Sequence, residues 1–313
     1  MVDLEGIIGV LSLSDMENNV RLAYNEIFFV ISELRKVGFV NITVCNVHDR
    51  GTCLDTAIIE NMNASLIQGL SSLVNEVEEF SYAIMLGFHG KRESGGRFDH
   101  TFRMDILEMY YGLQSVGEVG AFYRWLSLAG ISVILVSGEG NFADEIKEFN
   151  CILHVIRKTP VKEGIIQEEY MALEYALREA IFILKEPDII NPQILEEKIC
   201  ITIDNPDKYY IVQEYAQFEM GPQCFTFASL NVFFSTVYNF ALKLNEASQR
   251  IYFHNINFLN QIKSSRYSKK ELSLLLNDYG DKDIFQINFY DRKNIADKVG
   301  IDYEDCLIYP SVL

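Results

Sequence analysis

The chain has 313 residues, room for one large domain or about two, and its 49% hydrophobic and 23% charged residues exclude a disordered or collagen-like chain. Its 44 acidic residues outnumber 27 basic ones, and the formal charge of −17 excludes a broad electrostatic footprint on nucleic acid or on an anionic membrane. No run approaches the ~18 apolar residues of a membrane-spanning helix, and the start Met1-Val2-Asp3-Leu4-Glu5 lacks the basic and apolar regions of a secretory signal. The cysteines (Cys45, Cys53, Cys151, Cys200, Cys224, Cys306) form no CxxC pair and read as reduced thiols, so a cytoplasmic location is expected.

In chain order, Ser14-Asp15-Met16-Glu17 reads as a capping box. Val20, Ala23, Ile27, Val30, Ile31 and Leu34 then recur at helical spacing, and Gly38 closes the pattern. Residues 39–47 (FVNITVCNV) form an apolar, β-branched run ending at His48. A helical pattern over 64–77 leads to a second such run, 82–88 (YAIMLGF), which ends at His89. Residues 118–128 are helical in pattern, Gly130 stops them, and 131–136 (ISVILV) reads as a third strand. Residues 144–149 then lead to a fourth strand over 151–156.

Further on, 168–184 is a long helical pattern, 198–203 (KICITI) is strand-like, and 225–234 reads as strand followed by helix. Beyond about 245 the chain is richer in Asn, Lys, Asp, Tyr and Ser, with a helical patch at 269–276. Residues 292–307 have a helix-turn-helix outline, but a single Gly turn and an acidic second half argue against DNA reading. Wholly apolar strands alternating with helices indicate a mostly parallel sheet covered by helices on both faces, an α/β fold. The later segments add a C-terminal α+β region and an extension. The expected division is a metal-binding α/β domain over 1–160, the rest of that subunit over 161–245, and a divergent extension over 246–313.

Ligands in such sheets gather at the carboxyl ends of the strands, where His48 and His89 fall. His100 follows the loop Glu93-Ser94-Gly95-Gly96-Arg97-Phe98-Asp99. Asp3 and Glu5 are one residue apart, so on a strand their side chains share a face, and at its end they could converge on one cation. Glu118 opens a helix between Gly117 and Gly120, which let backbone pack closely around it. Three carboxylates with two or three imidazoles make a good ligand set for one zinc or a pair, and paired ions activate water and polarise a carbonyl. The bland reading is that Asp3 and Glu5 are exposed, His48 and Asp49 are loop residues, and Glu118 is a first-turn carboxylate. Spacing alone leaves both open. His154, inside an apolar strand, reads as a core histidine, and His254 has no assigned role.

The order of short segments resembles the zinc-dependent D-aminopeptidase family (DppA-like metallopeptidases). Val2-Asp3-Leu4-Glu5-Gly6-Ile7-Ile8-Gly9 is similar to that family's VDMEGISG opening. Asn46-Val47-His48-Asp49 resembles NDSH, Gly87-Phe88-His89-Gly90 resembles GYHA, and Asp99-His100-Thr101-Phe102 resembles the SHSM or SHT element. Val116-Gly117-Glu118-Val119-Gly120 resembles VGELG, and Leu135-Val136-Ser137-Gly138-Glu139 resembles a strand ending in VAGD or VSGD. The resemblance is specific over 2–150, weak to 245 and absent beyond.

It implies that Asp3, Glu5, His48, His89 and Glu118 bind two zinc ions, with Asp3 bridging. It also implies that His100 is a catalytic residue that is not a ligand, suited as an imidazole to carry a proton from water to the leaving amine. The family removes N-terminal D-residues from short peptides and forms ring-shaped homo-oligomers. Three positions depart from its pattern: Asn46 and Glu139 stand where Asp is usual, and Phe122 where Asn is usual. Neighbours of ligands tune metal affinity and substrate placement. The expectation is therefore a dinuclear zinc aminopeptidase acting on short peptides, with no nucleic-acid or membrane partner. Its rivals are a zinc amidohydrolase for a non-peptide or modified amino-acid amide, and a non-catalytic member acting as a binding or scaffold protein.

Overall fold

The computed structural model describes residues 1–11, 16–49, 51–147, 149, 151–156, 163–184, 194–203, 219–221 and 224–245. The expected capping-box residues Ser14 and Asp15, the patch at 269–276, the segment 292–307, His254 and the extension 246–313 lie outside these residues. Two compact units are present: Met1–Ile203 with Cys224–Tyr238, and Asp204–Gln223 with Asn239–Leu313. In the second, the described residues are strand β9 (Glu219–Gly221) and helical residues 239–245.

In the first unit, helix α1 (Met16–Lys36) leads to β1 (Thr43–Asn46), then α2 (Thr56–Asn61), β2 (Ser65–Gln68), α3 (Leu70–Glu76) and β3 (Tyr82–His89). A hairpin of β4 (Ile106–Tyr111) and β5 (Gln114–Val116) precedes α4 (Glu118–Leu128), β6 (Ser132–Glu139), α5 (Ala143–Ile146), β7 (Ile152–Ile156) and α6 (Glu163–Ile183). Strands β8 (Ile199–Ile203) and β10 (Cys224–Phe227) follow, and helix continues from 230.

Strands β3, β6 and β7 are parallel in the order β3-β6-β7, and β1 pairs with β2 in parallel. Val2 joins the two groups. Its N–H donates to the Cys45 carbonyl at 2.8 Å and its carbonyl accepts from Val47 N–H at 3.0 Å, while Asp3 N–H donates to the Leu86 carbonyl at 2.9 Å. Met1 also pairs here, its carbonyl accepting from Leu86 N–H at 2.9 Å, and the chain that leaves Val2 emerges at the carboxyl ends of β1 and β3. Helices α1 and α6 share one apolar cluster with Val44, Leu86, Ile134 and Ile156, and α4 contacts β3 and β6. An apolar cavity of about 150 Å³ lies between β1 and β3, lined by residues such as Val30, Ile31, Thr43, Val44, Ala83 and Ile84.

Two details differ from the sequence expectation. Residues 64–77 are not one helix, because Ser65–Gln68 pairs with β1 as a parallel strand and Gly69, at φ +81°, ends it before α3. The apolar pair Leu66 and Ile67 fits either period, and the empty edge of β1 decides the outcome. The sequence reading also assigns no element to 106–116, where the hairpin joins an antiparallel sheet, β5-β4-β8-β10. Among the described residues, no helix is long and apolar enough to cross a membrane.

Candidate metal centre

After Val2 the chain bends and does not continue as a strand. The Asp3 carboxylate accepts from Leu4 N–H at 2.9 Å, and Gly6 N–H donates to the Gly87 carbonyl at 2.7 Å. A Cβ on Gly6 would sit 1.8 Å from the Phe88 carbonyl oxygen, so only glycine permits this approach. The bend, not strand alternation, brings Asp3 and Glu5 to one place.

His48 follows β1, with Nδ1 2.9 Å from Asp3 Oδ1 and 2.8 Å from Glu5 Oε2. His89 ends β3, and its Nδ1 lies 2.9 Å from the Gly90 carbonyl. A carbonyl only accepts, so Nδ1 donates and Nε2 carries the lone pair in the neutral ring. That Nε2 is 3.6 Å from Asp3 Oδ2 and 3.5 Å from Glu118 Oε1. His100 is fixed likewise, with Nδ1 2.8 Å from the Phe98 carbonyl. Its Nε2 lies 4.0 Å from Glu5 Oε1 and 3.8 Å from Glu118 Oε1, and its ring stacks on His89 at 4.3 Å.

All six side chains singled out in the sequence therefore converge. Three sets hold donor atoms within 4.8 Å of one another: Asp3–Glu5–His48, Asp3–His89–Glu118 and Glu5–His89–His100. Asp3, Glu5, His89 and Glu118 are buried, the last at 9% exposure. Asp3 Oδ2 and His89 Nε2 are buried without a hydrogen-bond partner.

The electrostatics describe an excess of negative charge. Burial, then the neighbouring Glu5, pushes Asp3 up to about 8. Burial opposes a charged His48, but its hydrogen bonds to Asp3 and Glu5 prevail and raise it to about 11. Burial also opposes a charged His89, and Glu118 with Asp3 raises it to about 10. Glu118 is held low because His89 outweighs its desolvation. Crowded buried carboxylates need positive charge, from imidazolium protons or from a cation. Orphaned oxygen and nitrogen donors in one buried cluster suit a zinc-like cation, so the residues fit such an ion.

Two supporting residues carry no sequence signal. Glu145 of α5 accepts from Gly117 N–H at 2.5 Å, Gly120 N–H at 3.3 Å and Lys91 N–H at 3.0 Å, satisfying donors at the start of α4, where Glu118 sits. Phe102 N–H donates to Glu118 Oε1 at 2.6 Å. The three departing positions lie close by. Asn46 exchanges contacts of 3.1 and 3.4 Å with Cys53, and Glu139 accepts from Arg97 N–H at 3.1 Å. Phe122 is buried and stacks on Phe234 at 4.6 Å. His154 lies apart, buried with Nδ1 2.9 Å from Ser137 Oγ, consistent with a core role.

The fold and this cluster define an α/β protein with a buried carboxylate–imidazole site at the ends of its parallel strands. The family model of the D-aminopeptidases (Peptidase_M55) matches residues 1–186, and the chain belongs to that family, a family of peptidases. The solved Zn-dependent D-aminopeptidase DppA from Bacillus subtilis, a self-compartmentalizing protease, is similar in fold. It superposes with a TM-score of 0.65 at 18% identity, covering 80% of this chain and 96% of that one. No match is found among curated protein sequences.

Proposed function

We propose that the protein is a zinc-dependent aminopeptidase that removes N-terminal residues, D-configured ones above all, from short peptides. Asp3, Glu5, His48, His89 and Glu118 would hold two zinc ions. The observation that carries this reading is that the five residues fall into two overlapping donor sets, Asp3–Glu5–His48 and Asp3–His89–Glu118, each of which could hold an ion. When bound, zinc supplies Lewis-acid polarisation of the scissile carbonyl and activation of water.

The chain's own residues do the rest. The Gly90 carbonyl fixes the His89 ring, and the Phe98 carbonyl fixes the His100 ring, each by accepting from Nδ1–H. His100 Nε2 then faces the cluster between Glu5 and Glu118, placed to accept the proton of the attacking water and return it to the departing amine. Burial of the carboxylates keeps bulk water from screening the charges they present. Family membership supports peptidase chemistry, and the self-compartmentalizing neighbour supports a ring-shaped homo-oligomer that encloses the sites.

Metal analysis of the purified protein, followed by a panel of D- and L-dipeptides, tests this reading. Zinc near two per chain and preferential release of N-terminal D-residues are expected. His100→Ala should keep its zinc and lose about 10²–10⁴-fold in turnover. Fully loaded protein that cleaves nothing on the panel would overturn the peptidase assignment. Cleavage of non-peptide amides alone would move it to an amidohydrolase.

A further inference from the structure

Phe102 sits two residues after His100 with φ +56°, in the left-handed region that a bulky side chain rarely adopts. Arg103 N–H donates to the Thr101 carbonyl at 2.6 Å, closing a three-residue γ-turn about Phe102. With positive φ this turn has the rare, strained hand. Glycine would make such a turn without steric cost, so a phenylalanine here needs another reason.

The ring supplies one. Its centroid lies 5.9 Å from Phe122, 5.2 Å from Phe233 and 6.0 Å from Phe234. Phe122 comes from α4, four residues after Glu118, whereas Phe233 and Phe234 come from the helix that follows β10. All three are fully buried, so the Phe102 ring is gripped by aromatic groups that cannot easily move. Thr101 is buried as well, which pins the other side of the turn.

The strained turn aims one group at the cluster. Phe102 N–H donates to Glu118 Oε1, the same oxygen that lies 3.5 Å from His89 Nε2 and 3.8 Å from His100 Nε2. Strain of this kind persists only where the surroundings over-determine the conformation, and it gathers at sites that need a group held in place. The aromatic grip is that over-determination.

We infer that Phe102 is a positioning residue of the metal centre: its ring, clamped by Phe122, Phe233 and Phe234, holds a strained turn whose amide orients the Glu118 carboxylate. The inference rests on the reading of Glu118 as a zinc ligand. It also gives Phe122 a task, since an apolar ring there completes the clamp and a polar side chain would not.

Zinc affinity of the purified full-length chain, measured by competition with a chromogenic chelator, tests this directly. The visible spectrum of the cobalt-substituted protein is recorded alongside. Phe102→Gly removes the ring while relieving the turn's steric strain, so it separates the clamp from backbone strain. It should weaken zinc binding by about tenfold or more, the scale of losing a partner that orients a metal ligand, and should change the cobalt spectrum. Phe102→Leu, which keeps an apolar body in the cluster, should restore most of the affinity. Phe234→Leu, which leaves the residues of the turn itself unchanged, should shift the affinity the same way by less. Parental affinity and spectrum in Phe102→Gly would overturn the inference while leaving the zinc reading intact. A parental protein that binds no zinc would sink both.

Discussion

Two buried histidines in this molecule, each beside a glutamate, behave in opposite ways. His89 is 1% exposed and His154 is 5% exposed, so both suffer the desolvation that disfavours an imidazolium. His89 nevertheless rises to about 10, because Glu118, Asp3 and Glu5 surround it. His154 falls to about 4, because burial outweighs a hydrogen bond to the Glu169 backbone, even though a Glu169 carboxylate oxygen lies 3.6 Å from Nε2. Three carboxylates act on His89, and together they offset its loss of water. With burial similar at both, the carboxylate charges around His89 separate a site that attracts cations from a core histidine that stays neutral.

The sharpest way to break this contrast is to remove the shared carboxylate charge. Asp3→Asn keeps the size of the side chain and deletes one negative charge from two donor sets. Zinc content should fall below two per chain and turnover should drop by at least about 10²-fold, read by metal analysis and dipeptide hydrolysis. Full zinc content in the variant would show that Asp3 is not shared between ions.

A smaller effect tests the other half. The folded His154 takes up its proton at about 4, against 6.5 ordinarily, so between those values the unfolded chain binds more protons. Stability should therefore rise with pH across that window, be complete above it, and be lost as pH falls through it. The contribution is up to about 3 kcal/mol. His154→Gln should flatten that part of the Tm-against-pH curve, and an unchanged slope would show that His154 is not the group responsible.

Glu26 offers the mildest test. Burial raises its carboxyl to about 7, from 4.5, and its Oε2 accepts from Ile8 N–H at 2.8 Å. Here the folded state binds the extra proton, so stability is present at low pH and declines as pH rises through 7. Glu26→Gln keeps an acceptor for Ile8 and removes the charge. It should raise Tm at pH 8 by a few degrees and have little effect at pH 5.

Much of the fold was legible because the parallel strands are apolar along their length and end in turn residues. Residues 82–88 and 131–136, and the helix that carries Glu118, lie where their patterns place them. The hairpin over 106–116 was not, since Ile106, Met109 and Tyr111 are buried by pairing with β8, some ninety residues away in sequence. Asp3, Glu5, His48, His89, His100 and Glu118 stood out by type, order and position after strands. Glu145 and Phe102 did not, because a buried carboxylate that accepts backbone N–H groups and a strained turn leave no pattern in a linear chain.

The sequence by itself determined the alternation of strands and helices, the family, and which side chains were available for chemistry. These are local properties, set by the period of apolar residues and by residue identity. Only the tertiary structure decided that Val2 would bridge β1 and β3 and that a bend made possible by Gly6 would set Asp3 beside Glu5. It also decided that His89 gathers carboxylates while His154 does not. Those outcomes depend on distances between residues far apart in the chain, and it is distance and burial that set the electrostatics of a site.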